Sequence, residues 1–152
     1  MSGHQRALGT ITHGVYVVTC KAGERANGIT VGCGIQASIR PPMVAIAINK
    51  VRHSHGLLSE AGHYVFHVLA DDQGDLSTQF GSFSGRDRDK FEGMEWEEGY
   101  RGIPTLPGCR AVMGCAKVKE VDAGDHTLLI GEVETSHVDD SKRGLIFTRP
   151  LA

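Results

Sequence analysis

Three short stretches of this 152-residue chain mix amide, hydroxyl, thiol, imidazole and ammonium groups at usable spacings. The first is Asn27-Gly28-Ile29-Thr30-Val31-Gly32-Cys33-Gly34-Ile35-Gln36-Ala37-Ser38, which runs on to Pro41-Pro42. Its glycines let another group approach the backbone closely. Main-chain N–H groups with Thr30, Cys33, Gln36 and Ser38 match the donors and acceptors of a planar heterocycle lying along a strand. On composition alone, a glycine-rich strand packed against a neighbour explains the stretch more economically. The second is Asn49-Lys50-Val51-Arg52-His53-Ser54-His55. Lys50 offers charge, Asn49 and Ser54 directional donors, and a helix start just after them adds backbone N–H groups. Together these make a phosphate cradle; an ordinary solvated turn with a Ser cap reads equally well. The third is Gly124-Asp125-His126-Thr127, with Gly131-Glu132-Val133 beyond it. His126 at a strand mouth is either idle in solvent or placed to meet a ligand, with a charge that switches near neutral pH.

The elements that must position these groups are mostly strands. Residues 14–20 are β-branched and aromatic, and Asn27-Gly28 reads as a turn before the stretch 29–39. Residues 43–48 are apolar on both faces, which predicts a central strand. Leu57, Leu58 and Ala61 recur at helical spacing over residues 55–62, with Gly62 as the stop. Residues 63–69 return to strand character, and Asp71-Asp72 are placed to cap a helix holding Leu76 and Phe80. Residues 86–101 carry 10 charged side chains in 16 and read as an exposed excursion pinned by Phe91 and Trp96. Two longer strands, 111–121 and 127–137, close the chain. Six or so strands with two or three short helices, and no regular β-α-β alternation, predict a mainly β fold: a single antiparallel barrel domain over residues 1–152.

Composition narrows the function. Sixteen Lys plus Arg against 18 Asp plus Glu leave a formal charge of −2, which gives no global attraction for nucleic acid or anionic membrane. The longest apolar run, residues 43–48, is six residues against the roughly 20 of a membrane span. The opening MSGHQRALG lacks the apolar core of a secretory signal. The expected place is the cytoplasm. Cys20, Cys33, Cys109 and Cys115 have no C-x-x-C spacing, so reduced core or site thiols are expected. The pairs His53/His55 and His63/His67 lack a third ligand at metal spacing, and no metal is expected.

Taken in order, these pieces resemble the flavin reductase-like family, whose fold is the flavin-binding split β-barrel of six to seven antiparallel strands. The resemblance covers about residues 10–146. It rests on Gly28-Ile29-Thr30 through Ser38 and Pro41-Pro42, then Val44-Ala45-Ile46-Ala47-Ile48-Asn49-Lys50 and Ser54-His55. It continues with Phe80-Gly81, Ser84-Gly85-Arg86-Asp87, Asp89-Lys90-Phe91, Gly102-Ile103-Pro104, Leu106, Gly124-Asp125-His126 and Gly131-Glu132-Val133. Residues 27–36 and Ile48-Asn49-Lys50 look most like the subgroup of flavoredoxin and of flavin modules fused to rubredoxin or diiron domains. Cys33 departs from a common Ser or Trp and His67 from a common Asn. The ending through Arg149-Pro150 lacks the usual Tyr-Arg-Gly.

The resemblance implies a homodimer binding FMN, less often FAD, near its subunit interface. Thr30, Val31, Gly32 and Cys33 would line the isoalloxazine ring, with Gln36 and Ser38 close by. Asn49, Lys50, Ser54 and His55 would hold the phosphate end, Phe80, Gly81 and Ser84 would border the cofactor, and His126 would lie near the reacting face. A cradle for one terminal phosphate favours FMN. Removing the charge-assisted bond of Lys50 should cost ~1.5–3 kcal/mol of affinity. Cys33, with no paired base in the sequence, is expected to be a packing thiol. The implied activity is NAD(P)H-dependent flavin reduction, with the electrons passed to an acceptor, an oxygenase or another redox protein. The alternative is an FMN electron carrier without turnover of its own.

Overall fold

The computed structural model describes residues 1–82 and 84–148, so Arg149 and Pro150 lie outside the described residues. After a short helix α1 (Gly3–Leu8) come β1 (His13–Gly14), β2 (Tyr16–Ala22), β3 (Arg25–Val31), β4 (Gly34–Ser38) and β5 (Met43–Asn49). Helix α2 (His53–Glu60), β6 (His63–Val68) and helix α3 (Gly74–Gly81) follow. A charged excursion leads through the short β7 (Glu97–Glu98) and β8 (Pro104–Thr105) to β9 (Ala111–Ala123), β10 (His126–Val138) and β11 (Ile146–Phe147). Seven strands form one antiparallel sheet in the order β3-β2-β6-β9-β10-β5-β4. Its two edge strands, β3 and β4, are joined only by Gly32-Cys33. The three Cα–Cα steps from Val31 to Gly34 span at most about 11 Å, so the sheet must curl until its edges meet, which is what closes a barrel. No helix among the described residues is long and apolar enough to cross a membrane.

β2 is buried on both faces, which divides the apolar interior in two. Val18, Cys20, Ile46, Ile48, Tyr64, Phe66 and Leu129 fill the barrel, plugged by Leu57 and Leu58 of α2. Val17, Leu69, Phe80, Phe91 and Leu106 form a second cluster beneath α3 and the excursion. Burial on both faces also marks β5, which runs between β4 and β10 as its unbroken apolar pattern predicts.

Local expectations fail where tertiary contacts outrank local preference. Asn27-Gly28 is strand interior rather than a turn, and the hairpin turns at Gly23, with φ of 62°. Asn27 is buried and its Nδ2 donates to Ser54 Oγ at 2.7 Å. A Cβ on Gly28 would stand 2.7 Å from the Phe80 ring. The stretch 29–39 breaks at Gly32-Cys33 into two strands. Helix α2 does not use Gly62 in a left-handed turn: Ala61 follows the helix in extended conformation, and Lys117 Nζ caps the end by donating to Leu58 O (3.1 Å) and Ser59 O (2.6 Å). Asp71-Asp72 precede α3 without capping it, the N-cap position being Gln73. Phe91 pins the excursion as expected, whereas Trp96 is 44% exposed and only lies against Phe91.

Candidate functional site

Two connected crevices open where β3 ends, β5 ends and β10 begins. The larger, about 320 Å³, is walled by Thr30, Asn49 and the start of α2 on one side and by Phe80, Gly81 and Ser84 on the other. The smaller, about 170 Å³, runs along Val31, Gly32 and Cys33 and reaches His126. Ile29, Thr30, Asn49 and Arg52 line both, so the two form one bent groove.

Backbone register and short hydrogen bonds build this groove. His126 and Asn49 are partners in the β10–β5 ladder, so the third and second sequence stretches meet at its mouth. Thr30 Oγ1 donates to Ser77 O at 2.7 Å, tying β3 to α3. A Cβ on Gly81 would lie 3.3 Å from Thr30 Cβ, so the end of α3 passes the strand closely. The Asn27–Ser54 bond holds the first turn of α2 against β3. Arg52, the N-cap of α2, supplies no side-chain cap bond; its carbonyl accepts the third N–H, that of His55, at 3.0 Å, so no capping side chain competes with an anion at the helix start.

The charges are segregated. Arg52, Arg86 and Lys90 line the larger crevice together with His53, and no Asp or Glu does. The smaller crevice sets Val31, Gly32, Ala47 and Ile48 beside Thr30, Cys33, Asn49, Arg52 and His126, its reactive or polar groups. His126 Nδ1 donates to Asp125 Oδ1 at 2.7 Å. That bond, and then the imidazole's charge, hold the Asp125 carboxyl below the usual carboxylate range. With Nδ1 committed, Nε2 is the nitrogen left for a ligand.

Of the residues singled out from sequence, Thr30, Val31, Gly32, Cys33, Asn49, Ser54, Phe80, Gly81, Ser84 and His126 line this groove. Lys50 does not line it: its ammonium is paired with Asp122 across the β9–β10 hairpin. His55 Nε2 is 2.8 Å from Thr127 Oγ1, behind the groove wall. Gln36 and Ser38 line a separate, uncharged depression of about 440 Å³ formed with Tyr16, Phe66, Met113 and Val133. Cys33 is exposed and not a packing thiol, whereas Cys20, Cys109 and Cys115 are buried. Burial pushes those three thiols up to about 12, 11 and 12. Sequence reasoning missed Arg52, Arg86 and Lys90. Arg52 stood inside the second stretch, and Arg86 and Lys90 stood in the matching family pieces of the excursion, but none of the three was given a role at the site.

The arrangement suits a ligand with an anionic end and a flat end. The cations, hydroxyls and helix start fit a phosphate. The close-passing glycine backbone and the narrow crevice fit a planar ring, so the donor set fits a phosphorylated flavin. A family model described as flavin reductase like domain matches residues 8–150. The chain is similar to an FMN reductase (NADH), SmoA, of Agrobacterium fabrum (strain C58 / ATCC 33970), at 40% identity over 85% of this chain and 72% of that protein. It is 36% identical to a high molecular weight rubredoxin of Moorella thermoacetica (strain ATCC 39073 / JCM 9320) over 88% of this chain, spanning 59% of that protein. Among solved structures, it is similar to the NADH:FAD oxidoreductase SgcE6 of Streptomyces globisporus C-1027 in complex with NAD and FAD fragments. There the TM-score is 0.88 at 29% identity, with 98% of this chain and 91% of the other covered.

Proposed function

The chain belongs to the flavin reductase-like domain family, and from that premise we propose that it is an NAD(P)H-dependent flavin reductase that binds FMN in the bent groove. The observation that carries this reading is the groove's division into a cationic, carboxylate-free end and a narrow glycine-lined end beside His126. When bound, flavin supplies the hydride-accepting ring chemistry, while the protein supplies binding, orientation and electrostatics. In this reading Val31, Gly32 and Cys33 orient the ring through their backbone, and Thr30 fixes the adjoining wall through its bond to Ser77. Arg52, Ser54, Ser84 and the start of α2 hold the phosphate. Asn49 links the two ends, and Phe80 and Gly81 form the border. Lys50 and His55 act one layer out, through Asp122 and Thr127. His126, oriented by Asp125, presents Nε2 toward the crevice, where it positions the nicotinamide or stabilises charge on the reduced ring.

Anaerobic stopped-flow mixing of the FMN-loaded protein with NADH or NADPH tests the activity. Rapid bleaching of the flavin, followed by catalytic reduction of added free FMN, is the expected result. His126→Ala should slow bleaching while leaving FMN bound; equal rates would return His126 to an idle surface group. The rubredoxin relative favours a second reading, an FMN carrier that exchanges electrons with a protein partner. Bleaching by dithionite or a reduced iron–sulfur protein, but by neither nicotinamide, would select it.

A cytoplasmic homodimer completes the proposal, as one domain over residues 1–152 delivering electrons to an oxygenase or other redox acceptor. Three buried thiols with raised pKa and an exposed Cys33 suit a reducing compartment. The dimer is supported by Ile35 on the edge strand β4 and Ile39 just after it, 64% and 72% exposed, both lining the uncharged depression that holds Gln36 and Ser38. Exposed apolar edges of this kind are normally covered. Sedimentation should give a dimer, and a stable monomer that still holds flavin would refute it.

A further inference from the structure

We propose that Lys90 is a recognition residue for the ligand's phosphate: it supplies the buried positive charge of the larger crevice, so anion binding and protonation of this lysine form one linked equilibrium. The proposal rests on the flavin reading above and brings into the site a residue of the charged excursion.

Lys90 is only 4% exposed, although it stands in the most highly charged part of the sequence. Its Nζ donates to Gly28 O at 2.9 Å and to Phe80 O at 3.0 Å. An ammonium has three N–H donors, so carbonyls of β3 and α3 take two of them. Carbonyls are neutral dipoles, and among the described residues no carboxylate lies within ion-pair distance of Lys90. A buried charge without a counter-charge is costly, and an apolar side chain of similar volume would fill the same space without that cost.

The surroundings add positive charge. Burial first, and Arg52 second, push the Lys90 ammonium down to about 8. The other charged or titratable groups facing the crevice are His53 from α2 and Arg86 from the excursion. From β3 and the end of α3 come Ile29, Thr30, Phe80 and Gly81, none of which titrates. Negative charge is what this arrangement lacks, and a phosphate brings it. The sign follows: with Lys90 protonated below about pH 8, anion affinity is full there and falls as pH rises through that value.

The test titrates the full chain with FMN and, separately, with riboflavin at pH 7 and pH 9, following flavin fluorescence. A phosphate monoester has its second pKa near 6, so its own charge is nearly constant across this window. FMN affinity should fall about tenfold between the two pH values while riboflavin affinity stays level. Lys90→Met should weaken FMN about 10- to 100-fold at pH 7, remove its pH dependence and leave riboflavin unchanged. Lys90→Arg should bind FMN equally at both pH values, and His53→Gln should keep the wild-type dependence. Equal losses of FMN and riboflavin in Lys90→Met would make Lys90 a structural tie between β3 and α3 and overturn the proposal. Wild-type FMN affinity independent of pH would overturn it too, and needs no variant to fold. Should the wild type take up neither flavin, the flavin reading fails by itself, and inorganic pyrophosphate decides the matter: binding lost in Lys90→Met upholds the proposal, and binding unchanged or absent from both overturns it.

Discussion

Acidification from pH 6.5 to pH 4 should remove about 3 kcal/mol of folding stability through His67 alone, a loss that His67→Asn should not show. His67 is completely buried. Its Nδ1 donates to Val17 O at 2.9 Å, and its Nε2 accepts the Leu106 N–H at 3.1 Å. Both contacts require the neutral ring, because a proton on Nε2 would confront a backbone donor. Burial is the larger cause and lowers the imidazole to about 4, against the partial opposition of the Val17 bond. Imidazoles of the unfolded chain take up protons near 6.5. Between those values the unfolded state binds more protons, so stability is full above about 6.5 and drains away as pH falls toward 4. An Asn amide can keep the donation to Val17 O, falls short of the Leu106 N–H and does not titrate, so it lowers stability by an amount independent of pH in this range. Urea unfolding at several pH values in both proteins isolates the difference, since carboxylates contribute equally to each. Parallel pH profiles would show that His67 does not hold this neutral bridge.

Phe80→Ala should cost about 3–5 kcal/mol, the usual result of emptying an aromatic-sized space. For a chain of this length that corresponds to a fall of about 6–20 °C in Tm. Phe80 is fully buried, and its ring stands edge-on to Phe91 with centroids 5.3 Å apart. The ring also lies where a side chain on residue 28 would otherwise go. The same residue borders the larger crevice, and its carbonyl receives Lys90. The lesion should therefore reach the ligand site as well as the core. Thermal melts of Phe80→Ala beside Phe80→Leu check this, with the Leu variant losing much less because it keeps most of the volume. An unchanged melting temperature for the Ala variant would mean that the cluster under α3 does not depend on this ring.

The periodic part of the fold was legible because a strand with two buried faces must be apolar at every position. Residues 43–48 could be read in that way, and the two long closing strands by their runs of strand-forming residues, part of which face solvent. Asn27-Gly28 could not. The pair has a strong local preference for turns, and what overrides it is a ring from α3 and a hydroxyl from α2, both distant in sequence. Lys50 was misplaced for a related reason. Its type and neighbours suited a phosphate, but the hairpin carrying Asp122 comes 72 residues later and takes the charge.

Sequence by itself determined the family, the strand-rich barrel and the small-residue stretch along which a ring can lie, because those depend on residue type and order. Only the tertiary structure decided which charges face the groove. The excursion's alternating charges give no periodic signal that separates a solvated lysine from a buried one, and Lys90 is buried because Phe91 beside it anchors the segment to the core. His126 likewise acquired its setting from strand register, which brings it opposite Asn49. Register is a property of paired strands, and no single segment of the chain contains it.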